Sequence, residues 1–172
     1  MSLVRYFPTP SDRMGILWSL MTIQQSIIIE YGPAGTTHYG IGFYSALGVD
    51  QENRLFTTHM SEDDVVMGDV TRLEEAILEV DSSFHPEVIF IVASSISAVI
   101  GTDLAGVCAY MQQKTRARLI ALEQGGLRGD YGLGLTQVYQ QLAEAFVKQE
   151  APQLSNTYNI IGASAYSRRA RS

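Results

Sequence analysis

Residues that usually announce a function are scarce in this chain. A single cysteine, Cys108, occurs among 172 residues, so no internal disulfide can form and a cysteine-stapled secreted framework is excluded. Cys108 lies in the apolar stretch Leu104-Ala105-Gly106-Val107-Cys108-Ala109-Tyr110, which reads as a helix burying a packing thiol rather than exposing a reactive or metal-binding one. Basic charge is also sparse, with 12 Lys and Arg against 18 Asp and Glu and a net charge of -6. Nonspecific nucleic-acid binding needs a concentrated basic surface, so no nucleic-acid partner is expected. The only basic cluster, Arg168, Arg169 and Arg171, reads as a solvated or interface tail. No apolar run approaches the roughly 18 residues that span a bilayer, so no membrane partner is expected. No signal peptide is read at the start, and the cytoplasm is the expected compartment. A P-loop lysine, an HExxH motif and a Ser-His-Asp order are all missing.

What is present is a folded globular composition, 46% apolar and 17% charged, long enough for one domain over 1–172 with a substantial core. Met14, Leu17, Trp18, Met21 and Ile23 recur near helical spacing, which predicts a helix over 11–25. Ser26–Tyr31 and Val88–Ala93 are continuous runs rich in β-branched residues, the pattern of strands covered on both faces. Shorter strands are predicted at 54–59, 118–122 and 158–161. Helices are predicted at 36–47, at 70–84 from Leu73, Ile77 and Val80, at 101–114, and at 135–149. Ser61 offers an N-cap followed by Glu62, Asp63 and Asp64, which suit a helix dipole better than a bound cation. Residues 124–134 hold five glycines and read as a mobile or interface loop. Alternating strands and helices imply an α/β fold: a doubly wound, mostly parallel, Rossmann-like sheet with right-handed crossovers and helices on both faces. Open sheets of this kind place ligands where strands end and helices begin. Gly32, Pro33, Gly35 and His38 after the first strand, with Gly101 and Asp103 beyond the third, are therefore the candidate crevice.

Four segments in order carry a family resemblance. Tyr31-Gly32-Pro33-Ala34-Gly35-Thr36 is similar to a Gly-Pro-x-Gly-Cys turn. Thr57–Gly68 is similar to a Met-Thr/Ser-Glu-x-Asp-x-x-x-Gly segment. Ser95 through Val99-Ile100-Gly101-Thr102-Asp103 is similar to a Thr-Cys-x-x-x-x-Ile-Gly-Asp-Asp turn, and Asn159-Ile160-Ile161-Gly162 to an Asn-Ile-Ile-Gly strand. Over about 14–164 the chain resembles the first domain of the nitrogenase component 1 family. That family includes the molybdenum-iron protein subunits, the cofactor scaffold proteins and the dark-operative protochlorophyllide reductases.

The resemblance implies a site at which cysteines of such turns hold an iron–sulfur cluster between two related subunits. The matched positions carry Thr36 and Ser95, and no cysteine stands near Pro10–Met14, where a further ligand is implied. Hydroxyls substitute poorly for soft thiolates, so no cofactor is expected from this chain alone and no metal ligand is assigned. A cluster is possible only if partner chains supply ligands. Thr36 and Ser95 would instead sit at helix starts as N-capping hydroxyls. His38 and His59 remain candidate ligands, with structural hydrogen bonding the preferred reading. The implied partners are a homo- or hetero-oligomer with a related component 1 subunit and an ATP-dependent iron–sulfur reductase. The expected function is a nitrogenase-like oxidoreductase component domain in a multi-subunit electron-transfer assembly, not expected to be catalytic alone. The alternatives are a non-catalytic scaffold domain or a small-molecule binding module.

Overall fold

In the computed structural model the chain is described over residues 9–35, 37 and 54–147. Its centre is a four-stranded parallel sheet in the order β2-β1-β3-β4, formed by β1 (Ser26–Tyr31), β2 (Leu55–Thr57), β3 (Val88–Ala93) and β4 (Arg118–Leu122). Every residue of β1 and β3 is buried, as their largely apolar character requires of central strands. The two pair from Ser26 opposite Val88 to Tyr31 opposite Ala93.

Alternation along these strands divides the interior into two cores. Ile27, Ile29, Tyr31, Ile89 and Ile91 face α3 (Thr71–Phe84) and α5 (Leu104–Met111), meeting Leu73, Ile77, Val80, Leu104 and Met111. Ile28, Phe90, Val92, Ile120 and Leu122 face α1 (Asp12–Leu20) and α6 (Tyr131–Phe146), meeting Ile16, Leu17, Leu20 and Val138. Helices thus cover both faces, as the strand–helix alternation implies. Among the described residues no helix is long and apolar enough to cross a membrane.

Two short helices complete the described elements. In α2 (Glu62–Met67), Ser61 and Asp64 form a reciprocal capping box. The Ser61 backbone and hydroxyl donors hold the half-buried Asp64 carboxyl below its ordinary value. The other short helix, α4 (Ser95–Ile100), follows β3 directly.

Several boundaries depart from the sequence reading. The predicted helix over 101–114 is shorter, and α4 precedes it; Gly101, at φ +72°, ends α4, and Asp103 caps α5. A Cβ-bearing residue resists that left-handed conformation, so the chain breaks there rather than running through. The last described helix begins at Tyr131 rather than 135, because Gly132 and Gly134 are helical and not loop residues. The first stops at Leu20, and β2 is confined to Leu55–Thr57. The predicted strand at 158–161 lies outside the described residues. So does most of the helix at 36–47, of which only Thr37 is described and is helical.

Glycine's use in α1 and α6 is steric. A Cβ on Gly134 would sit 2.7 Å from the Asp12 carbonyl carbon, and one on Gly15 would sit 2.8 Å from the Tyr131 carbonyl carbon. The two helices meet backbone to backbone at these points. Asp12 N–H donates to the Gly129 carbonyl and Tyr131 N–H to the Pro10 carbonyl, each near 3 Å, at 3.0 and 2.9 Å. The start of α1 is thereby sewn to the start of α6.

Candidate functional site

The strand order puts the topological switch point between β1 and β3, because the chain leaves β1 toward β2 and leaves β3 toward β4. At their C-terminal ends, however, the two turns are in contact. A Cβ on Gly32 would overlap the Ser94 side chain, and Ser94 N–H donates to the Tyr31 carbonyl at 3.2 Å. Gly32 is held from the other side: its N–H donates to Thr58 Oγ1 at 3.2 Å, and its carbonyl accepts from Thr57 Oγ1 at 2.8 Å and Met60 N–H at 3.0 Å.

Ser95 does not cap a helix. Ser94 is the N-cap of α4, accepting from Ser97 N–H at 3.2 Å, while Ser95 Oγ donates to the Gly125 carbonyl at 2.7 Å. Gly125 allows this latch because its Cβ would stand 2.6 Å from the Ser94 carbonyl oxygen. Sequence reasoning placed the cap one residue late, since Ser94 and Ser95 are equally good candidates by type.

Gly101 and Asp103 perform the ordinary work of helix ends, with Asp103 accepting from Gly106 N–H at 2.7 Å. Both line a groove of about 670 Å³ between α2 and α5, shared with Val66, Met67 and Tyr110. They also line a smaller one of about 340 Å³ with Ser97, Glu123 and Arg128. Gly32, Pro33 and Gly35 line neither of these two grooves. Thr36 and His38 lie outside the described residues. His59 is exposed, and the described residues contain no group of three His, Cys, Asp or Glu suited to a metal ion.

A buried polar network at the same end of the sheet is absent from the sequence reading. Glu30 points to the α1 side of β1 and is fully buried, with 0% exposure. Arg13 Nε donates to Glu30 Oε1 at 2.6 Å, and an Arg13 terminal nitrogen also meets that oxygen. Thr37 Oγ1 donates to Glu30 Oε2 at 2.6 Å. Next to it, the buried Asp12 carboxylate accepts from Arg13 N–H at 3.0 Å and Arg128 N–H at 3.3 Å. The available signal was Glu30 itself: a carboxylate inside an otherwise apolar central strand needs a buried partner.

Cys108 is the packing thiol that its apolar surroundings implied. Burial, with Glu123 nearby, pushes its thiol up to about 12. At pH 8 the thiolate fraction is then over about 1,000-fold below that of an open cysteine, whose pKa lies near 8.5. Iodoacetamide is expected to label Cys108 only at the rate of unfolding. Rapid labelling of the native chain, measured by mass spectrometry, would contradict this.

Comparison with known proteins adds to this geometry. Residues 11–170 match the family described as nitrogenase component 1 type oxidoreductase. The nitrogenase iron-molybdenum cofactor biosynthesis protein NifE of Nostoc sp. is 30% identical over 149 residues, covering 85% of this chain and 31% of that protein. NifE of Methanococcus maripaludis is 29% identical, with 83% of this chain and 31% of the relative covered. The chain thus spans about a third of the length of these relatives. A solved structure of nitrogenase Cp1 at pH 6.5 superposes with a TM-score of 0.63 at 26% identity, covering 74% of this chain and 27% of the other. The same fold is seen in nitrogenase Cp1 at pH 5, with a TM-score of 0.70 at 23% identity over 85% of this chain and 32% of the other. With its parallel sheet and its turns after β1 and β3, the chain belongs to the nitrogenase component 1 type oxidoreductase family.

Proposed function

We propose that this chain is the first α/β domain of a nitrogenase component 1-type oxidoreductase component, working within a multi-subunit electron-transfer assembly and supplying no cluster ligand of its own. The observation that carries the second half is the Ser95 hydroxyl. It stands where the family resemblance implies a thiolate, and it is already engaged as a donor to the Gly125 carbonyl at 2.7 Å. A neutral hydroxyl is a hard and weak ligand for cluster iron, and a proton committed to a carbonyl makes it weaker still. Ser11, in the segment of the remaining implied ligand, is likewise an oxygen residue, and Thr36 occupies the position after Gly35. The donor set does not fit an iron–sulfur cluster.

In this reading a related component 1 subunit, identical or different, brings the thiolates, and an ATP-dependent iron–sulfur reductase brings the electrons. A second reading is a non-catalytic scaffold domain, favoured by relatives whose names describe cofactor biosynthesis. A small-molecule module at the switch point is less well supported, because Gly32 and Ser94 meet where such a ligand would enter.

Iron and acid-labile sulfide, measured on protein purified without oxygen, separate these readings. Near-stoichiometric amounts only when the chain is co-purified with a component 1 partner support the electron-transfer role. No iron in either sample favours the scaffold, and iron in the isolated chain overturns the claim that it lacks ligands.

A further inference from the structure

We propose that the Arg13–Glu30–Thr37 network is a metal-free staple, fastening the chain segments that the family resemblance assigns to a shared cluster. This goes beyond the proposed function, since it concerns what holds the site together whatever the assembly does. Three stretches must be gathered there: the start of α1, the turn after β1, and the turn after β3. A metal cluster could gather them by taking a ligand from each, but here each junction is made by protein groups.

Arg13 on α1 reaches Glu30, one residue before the end of β1. The other oxygen of the same carboxylate receives Thr37 from beyond the Gly32-Pro33-Ala34-Gly35 turn, at 2.6 Å. One buried anion therefore ties the helix, the strand and the far side of the turn. Asp12 extends the fastening to the chain after β4 through Arg128 N–H, and Ser95 ties the β3 turn to Gly125 at 2.7 Å. Gly126, adjacent to that latch, approaches Arg13 and Ser11 so closely that a Cβ would lie 3.0 Å from Arg13 Cβ.

Chemistry favours this assignment over incidental pairing. Burying a carboxylate and a guanidinium is costly unless each is well partnered, and a central strand has no need of a carboxylate for packing. Both Glu30 oxygens are used, and they are used by two different segments. Arg13 and Glu30 act as positioning residues, and Thr37 reports the position of the turn.

The test uses the full chain alone. Its thermal midpoint is expected to be unchanged by strong chelation and by anoxic incubation with ferrous iron and sulfide. Glu30→Gln, which keeps shape and removes charge, should lower the midpoint by about 10 °C. Thr37→Val should lower it far less, yet speed hydrogen exchange at the amides of the turn before residue 37 by at least tenfold, which a purely packing role would not do. A midpoint that rises with iron and sulfide would overturn the proposal. So would Glu30→Gln melting with the unaltered chain, or Thr37→Val leaving exchange unchanged. These outcomes concern the isolated chain and remain distinguishable from iron content in a co-purified complex.

Discussion

Replacing Gly134 with alanine is expected to destabilise the fold by about 2–3 kcal/mol, although alanine is the better helix former by about 1 kcal/mol. The added Cβ would lie 2.7 Å from the Asp12 carbonyl carbon and 3.0 Å from Ile16 N. Both are backbone atoms of α1, so no rotamer change relieves the overlap and the helices must separate. Separation loosens the core that Ile16, Leu17 and Val138 share. It also strains the Asp12–Gly129 and Tyr131–Pro10 hydrogen bonds. Gly15→Ala should behave alike, since its Cβ would meet the Tyr131 carbonyl. Gly35, with nothing within 4 Å of an added Cβ, is the control and should gain a little stability on the same change. Urea denaturation measures all three. A Gly134→Ala midpoint at or above that of the unaltered chain would mean that α1 and α6 are not in backbone contact.

Arg13→Met should cost more, roughly 3–5 kcal/mol, because it leaves the Glu30 carboxylate buried without its cation. Glu30→Leu should also be costly, because Arg13 then loses its buried ion pair. The double variant is expected to be more stable than either single one, since no charge is then desolvated. What remains lost is the shape of the pair and the Thr37 hydrogen bond, the latter about 1 kcal/mol. A double-mutant cycle at neutral pH should therefore give a coupling energy above about 2 kcal/mol. Single variants within about 1 kcal/mol of the unaltered chain, with additive effects, would show that Arg13 and Glu30 are not a buried pair.

The central strands were legible because their signal is local. Ser26–Tyr31 and Val88–Ala93 are apolar throughout, apart from Ser26 and Glu30, and form strands with the predicted bounds. The faces of α3 were equally plain from Leu73, Ile77 and Val80, all buried as the spacing implies. The misreadings arose where a residue serves a distant partner. Gly134 looks like a loop residue until α1 is placed beside it. Ser94 and Ser95 are alike in type, and only the approach of Gly125 separates cap from latch. Arg13 falls on a helix that could have turned it outward, and nothing within its own segment names Glu30, seventeen residues on, as its partner.

The contact between Gly32 and Ser94 couples two positions in different turns, one after β1 and one after β3. A side chain can be gained at 32 only if one is surrendered at 94, and surrendering Ser94 removes the N-cap of α4. Position 32 cannot gain a side chain on its own. A cysteine introduced into these turns would therefore have to stand at a neighbouring position, with the glycine–serine pair kept as it is.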